Sequence, residues 1–178
     1  GIAIPGFLLS MFLMLFFGVH LKWLPVAGYV QLSRGLLEHL RYLLLPALSL
    51  GVVQAAYITR MSRSAMLDVL YMNYIRIARA KGLRESAVVL VYGLKNAGPT
   101  ILTVAGQSFG SLVTGTIVTE TLFNIPGLGM LTMTSITRRD VFVIQGVVLF
   151  VTLIYVLVNL AVDILYGFVD PRIQLGNK

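Results

Sequence analysis

The chain has 178 residues, of which 57% are hydrophobic and only 12% are charged, and it contains no cysteine. Soluble domains carry about twice that share of charged residues, so the composition argues against a soluble protein and favours a membrane protein. Without cysteine, this chain has neither disulfides nor thiolate metal sites. The formal net charge of +7 is found in nucleic-acid-binding proteins, but also in membrane proteins whose cytoplasmic loops are basic. The placement of the basic residues along the chain decides between the two.

The chain begins at Gly1 in a segment that is already apolar. A signal peptide would begin with a basic region before its apolar core, and none is present. This pattern predicts an N-terminal truncation inside or just before a membrane span. A processed terminus is the alternative.

Four apolar stretches are long enough to cross a bilayer, and they predict spans at about 2–19, 42–59, 96–119 and 141–165. At about 1.5 Å per residue, each covers roughly 27 Å or more, close to the thickness of the hydrocarbon layer. No repeat or flexible linker divides the sequence. We therefore expect an all-α transmembrane helical bundle that forms one domain over residues 1–178.

Basic residues concentrate between the second and third predicted spans. Residues 60–95 hold seven of them, whereas residues 20–41 and 120–140 hold three and two. The positive-inside rule places residues 60–95 in the cytoplasm and, counting spans, the tail at 166–178 as well. Because topology accounts for the charge, the sequence predicts no nucleic-acid partner.

The basic segment has the pattern of a short helix, a glycine turn and a second helix. Residues 75–81 can form two helical turns with basic side chains near the C-terminal end, where they suit the helix dipole. Gly82 is placed as a left-handed cap, and Leu83 can fold back on the helix as in a Schellman motif. We expect the second helix to begin near Glu85 and to stop at Gly98 and Pro99.

The string Tyr-Ile-Arg-x-Ala-Arg-Ala-Lys-Gly-Leu, residues 74–83, resembles the EAA loop of ABC-importer permeases, in the form found in dipeptide, oligopeptide and nickel transporters. Arg76 stands where many importer families have glutamate, and the downstream Ile-x-Leu-Pro part of the general motif is absent. Segments before and after the loop also resemble such subunits, in matching order, at residues 4–7, 23–28, 120–129 and 139–173. By this resemblance the chain is a C-terminal four-span fragment that lacks N-terminal spans and an external domain.

The resemblance implies a multi-pass protein of the bacterial plasma (inner) membrane that forms half of the pathway of an ATP-driven importer, with peptides as the expected cargo. Besides the lipid bilayer, it implies a sister permease subunit, two cytoplasmic ATP-binding subunits and an external solute-binding protein as partners. It implies no cofactor and no enzymatic activity in this chain. The loop at about 73–96 would couple to the ATPases through Arg76, Ala78, Arg79, Ala80, Lys81, Gly82 and Leu83.

In that scheme the basic side chains contact the ATPase, the two alanines permit close approach, and Gly82 sets the turn. The alternative for each basic residue is that it only orients the loop or contacts lipid headgroups. The sequence has no Gly-x-x-x-x-Gly-Lys-Ser/Thr loop, so ATP would be hydrolysed by a partner. His20 and His39 lack neighbouring ligands, and we expect no metal site.

Small and polar residues inside the spans predict contacts between helices. The Gly106-x-x-x-Gly110 spacing permits close backbone approach, and we favour helix packing over lining of the pathway. Uncharged polar side chains in spans usually hydrogen-bond between helices or face a cavity, and Gln54, Gln107, Gln145 and Asn159 are of this kind.

Two other classes of function remain open. A secondary transporter or channel subunit that does not use ATP would be expected to carry charges at the bilayer midplane or helices interrupted there. The predicted spans have no midplane charge, while a structured basic segment lies between two of them, which favours the importer. A structural subunit of a membrane assembly is the third reading, and only the resemblance of the loop argues against it.

Overall fold

The computed structural model describes residues 5–114 and 117–169, and the regular secondary structure of these residues is entirely helical. This confirms the all-α fold class. A π-helical segment, Met14–His20, follows the first helix, and another, Val88–Gly93, joins the fourth to the fifth. The helices are α1 (Gly6–Leu13), α2 (Leu36–Leu70), α3 (Asn73–Ala80), α4 (Glu85–Ala87), α5 (Leu94–Thr114), α6 (Ile117–Phe123), α7 (Leu128–Arg138) and α8 (Val141–Val169).

Three helices in the described residues are long and apolar enough to cross a membrane: Leu36–Leu70, Glu85–Leu112 and Val141–Leu165. They overlap the second, third and fourth predicted spans. The first predicted span corresponds to a shorter apolar helix, Gly6–His20, and its crossing of the membrane stays a prediction. Only 6% of the most apolar part of α8 is buried, so this helix presents its large side chains to lipid or to other helices.

The helix that was predicted to begin near Glu85 does not stop at Gly98 and Pro99. That prediction is wrong, because Pro99 lies inside α5. Proline removes one backbone hydrogen bond, but an apolar environment offers the chain no better partner than the next turn of helix. Side chains also bond the backbone on both sides of the proline. Asn96 Nδ2 donates to the carbonyl of Tyr92 at 2.7 Å, and Thr103 Oγ1 donates to that of Pro99 at 3.0 Å. The predicted end of the last helix at Asp170 and Pro171 lies outside the described residues.

The described residues form two compact units. One combines residues 5–56 with those of Ser111–Ile154, and the other combines Tyr57–Gly110 with residues 155–169. Each has its own packing, so the two are described separately.

In the first unit, α6 and α7 form a tight hairpin that covers most of residues 120–140, which lie between the third and fourth predicted spans. A Cβ atom added to Gly129 would lie 2.6 Å from Ile117 Cα, so the two helices approach at a distance that only glycine permits. The backbone N–H of Met130 donates to Glu120 Oε2 at 2.9 Å. The Glu120 carboxylate therefore lies at the start of α7, where negative charge suits the helix dipole.

In the second unit, α5 packs against α8 through the predicted pair of glycines. A Cβ atom at Gly110 would lie 2.8 Å from Tyr155 Cε2, and one at Gly106 would collide with Val162 Cγ2. Both glycines therefore permit the close packing of α5 against α8 that the Gly-x-x-x-Gly spacing predicted.

We predict that Gly106→Leu lowers the free energy of unfolding by about 1–3 kcal/mol, because the added side chain must displace α8. Gly146→Leu is the matched control, since a Cβ atom at Gly146 has nothing within 4 Å. Thermal unfolding of the full-length protein, purified with its partner subunits in detergent, measures the difference. Equal stability of the two variants would contradict close packing at Gly106.

Candidate functional site

The short helix α3 buries one face and exposes the other. Ile75 is fully buried and Ala78 is 5% exposed, three positions apart on one side of the helix. Both pack with the fully buried Val88 of the π-helical segment, and the partly buried Leu70 and Tyr74 border this cluster. The buried face therefore fixes α3 onto the segments that precede and follow it.

Tyr74 joins this cluster to a second one. Its side chain also packs against Ala65 and Val69 of α2 and Ala97 of α5, which form the neighbouring buried cluster. One residue of α3 thus packs against a cluster to which both α2 and α5 contribute. A displacement of α3 has to move these helices or break both clusters.

The chain turns back at Gly82, which has a φ of +76°. Its N–H donates to the carbonyl of Arg79 at 2.9 Å, and the N–H of Leu83 donates to that of Ala78 at 3.4 Å. These are the two bonds of a Schellman motif, so the predicted left-handed cap is confirmed. A Cβ atom at Gly82 would have nothing within 4 Å, so a substitution there is opposed by backbone conformation and not by crowding.

An ion pair crosses the turn. Arg79 Nη2 lies 2.6 Å from Glu85 Oε1, and Arg79 Nε donates to Glu85 Oε2 at 3.1 Å, which gives the two-bond geometry that arginine favours with carboxylates. Both side chains are exposed. The hydrogen bond raises the pKa of the Arg79 guanidinium and lowers the pKa of the Glu85 carboxyl.

The seven residues that the sequence proposed for coupling thus occupy different environments. Ala78 is buried, so it permits close approach within the chain itself, whereas the other six are exposed. Sequence reasoning missed Ile77, an exposed apolar side chain in the middle of α3, and the ion-pair partner Glu85. The spacing of Arg79 and Glu85 across a predicted glycine turn is a signal that a search for opposite charges would have detected.

Two polar residues in the predicted spans make different kinds of hydrogen bond, one between helices and one within a helix. Gln54 Nε2 donates to Ser111 Oγ at 2.8 Å, which confirms the expected hydrogen bond between helices. Asn159 instead bonds the carbonyl of Tyr155 in its own helix at 3.0 Å. In the described ranges 5–114 and 117–169, no three histidine or carboxylate side chains form a group that could hold a metal ion.

Comparison with known proteins identifies the class. Residues 1–175 match the family described as the inner membrane component of binding-protein-dependent transport systems. The chain belongs to this family of inner membrane components. This membership also argues against the secondary-transporter and channel readings.

Three curated relatives each align with 98% of the chain. The probable peptide ABC transporter permease protein y4tP of Sinorhizobium fredii is 42% identical over 174 residues, which are 56% of that protein. The di/tripeptide transport system permease protein DppB of Pseudomonas aeruginosa is 41% identical over 194 residues, 58% of its length. The glutathione transport system permease protein GsiC of Pectobacterium atrosepticum is 44% identical over 174 residues, 54% of its length. The chain spans about half the length of these curated relatives.

We predict that the ion pair holds the turn closed above the carboxyl pKa and ceases to do so in acid. Because the pKa of Glu85 is lowered in the folded chain, the contribution of the pair is present above the ordinary value of 4.5 and is lost as the pH falls through the lowered value. At pH 7, Glu85→Gln should speed hydrogen exchange of the Gly82 and Leu83 amides by a factor of about two to five, as expected for an exposed pair.

Hydrogen exchange of the full-length protein in its complex, corrected for the intrinsic rate at each pH, measures this effect. The difference from wild type should vanish in acid and shrink in high salt. Arg76→Gln is the control, since this arginine is exposed on the same helix but is not the partner of Glu85. An equal effect of Arg76→Gln, or a difference that persists in acid, would contradict the assignment.

Proposed function

We propose that the protein is a permease subunit of an ATP-driven importer for small peptides. It would pair with a sister permease, and two cytoplasmic ATP-binding subunits and an external solute-binding protein would complete the complex. Family membership supports the permease role. The cargo is supported by relatives named for peptide, di/tripeptide and glutathione transport, since glutathione is itself a tripeptide.

The amphipathic character of α3 is the observation that carries the coupling role. Its exposed side presents Ile77, 57% exposed, and Ala80 between the cations Arg76 and Lys81. An apolar centre with a polar rim is the usual composition of a protein interface. We infer that Ile77 and Ala80 enter a groove on the ATP-binding subunit while the two cations contact its rim.

The buried side of α3 supplies the mechanical connection. If closure of the ATP-binding subunits moves α3, the contacts of Ile75 and Ala78 with Val88 carry the movement toward α5. Tyr74 carries it to α2 as well. The turn at Gly82, held by two backbone bonds and the ion pair, would keep α3 and the following helix moving together.

The turn at Gly82 provides the test. We predict that Gly82→Val leaves the abundance of the complex nearly normal but reduces peptide uptake sharply. The left-handed conformation costs a residue with a side chain roughly 1–2 kcal/mol, and a β-branched residue more. Gly82→Asn is the matched control, because asparagine tolerates this conformation and the site has room for its side chain. It should retain most of the uptake.

Both variants are to be reconstituted in vesicles as the full-length complex. ATP hydrolysis is measured with and without the loaded binding protein, beside uptake in the same preparation. Gly82→Val should keep basal hydrolysis and lose its stimulation. If it keeps both uptake and stimulation at the wild-type level, the segment is only a connector and the coupling proposal is wrong.

A further inference from the structure

A cavity of about 340 Å³ lies inside the first unit, between α1, α2, the end of α5 and α6. This volume is at the lower end of the range of small-molecule sites, which are mostly apolar with a few placed polar groups. Five of its ten lining residues have hydrogen-bonding side chains and none is charged. The five are Ser10, Ser49, Gln54, Ser111 and Thr119.

Two serines contribute acceptor oxygens to the cavity. The hydroxyl of Ser10 donates to the carbonyl of Gly6 at 3.0 Å, and that of Ser49 donates to the carbonyl of Pro46 at 2.8 Å. Each residue is 1% exposed. Their protons are therefore used within their own helices, and their oxygens can still accept a hydrogen bond.

The side chains of Thr119 and Gln54 can also make further hydrogen bonds. Thr119 is 8% exposed and lines the cavity, yet its hydroxyl makes no hydrogen bond within residues 5–114 and 117–169. The single bond of Gln54 to Ser111 leaves one N–H donor and the carbonyl acceptor of its amide. A hydroxyl at a cavity wall with no hydrogen-bond partner in the described chain can bond a polar group that enters the cavity.

We propose that this cavity binds the peptide-bond groups of the transported solute. The inference rests on the proposed function. An uncharged lining suits a neutral polar group, and the free N–H and carbonyl of Gln54 are complementary to the carbonyl and N–H of a peptide unit. The apolar walls, which include Phe7 and Val53, suit an aliphatic side chain of the solute. Because backbone groups are common to all peptides, such a site would bind peptides of different sequence.

The experiment uses a cysteine reporter at the edge of the cavity in the full-length complex, after other accessible cysteines have been replaced. Val118 lines the cavity and is 54% exposed, so Val118→Cys reports its occupancy without removing a polar group. The complex is placed in nanodiscs without the binding protein, and the labelling rate with a small thiol reagent is measured against the concentration of dialanine.

Dialanine should slow labelling, and free alanine, which has no peptide bond, should not. In the reporter background, Gln54→Leu and Thr119→Val should each raise the half-maximal protecting concentration about fivefold, the effect of one neutral hydrogen bond. Gln145→Leu is the matched control, because it removes a glutamine of a predicted span that does not line the cavity. A second reporter, Leu153→Cys, lies on exposed α8 surface and should show no protection.

Two results would overturn the proposal. One is labelling that dialanine does not slow, as expected if a lipid chain or only water occupies the cavity. The other is protection that Gln54→Leu and Thr119→Val leave unchanged. Uptake of dialanine with ATP and binding protein is measured on the same reporter complex. Normal uptake without protection rejects only the site, whereas an intact complex that imports no peptide rejects the proposed function itself.

Discussion

The contact between the buried face of α3 and the π-helical segment is the interaction on which the account depends. An isolated helix of eight residues is not stable in water, because nucleation costs more than so few hydrogen bonds return. Burial of Ile75 alone contributes about 1.5–3 kcal/mol, and Ala78 and Val88 belong to the same buried cluster. The same contact makes α3 a stable helix and attaches it to the membrane-embedded chain.

The apolar environment imposes a second constraint, which is that backbone polar groups have to be satisfied within the chain. Side-chain hydroxyls add hydrogen bonds to the backbone at both prolines inside the long helices. Ser49 donates to the carbonyl of Pro46, and Thr103 donates to the carbonyl of Pro99. Side-chain hydroxyls are satisfied less completely: among the described residues, the hydroxyl of Thr119 at the cavity and the buried hydroxyl of Tyr74 have no hydrogen-bond partner. A site that leaves a polar group unsatisfied is expected where a ligand or water enters.

The sequence predicted well what depends on neighbouring residues and less well what depends on packing. The helix over residues 75–81 and the turn at Gly82 follow from local rules, and both are present in the structure. The end predicted at Pro99 was wrong because the surroundings of a helix decide whether proline stops it. The inward position of Ala78 was missed because Val88, its partner, lies beyond the turn. The coupling role of the segment, and the side of the membrane on which it lies, stay predictions.

The two faces of α3 also explain why the basic residues are not equivalent. Arg79 is engaged by Glu85 within the segment, whereas Arg76 and Lys81 flank the exposed Ile77. The most direct test of coupling therefore replaces Ile77 with a photo-crosslinking amino acid in the full-length complex. Phe142 is the control position, because it is 86% exposed at the start of α8, which the predicted topology places on the outer side. The account predicts a crosslink from Ile77 to an ATP-binding subunit, with a yield that changes when ATP is trapped, and none from Phe142. Crosslinking of Ile77 only to lipid or to the sister permease would contradict it.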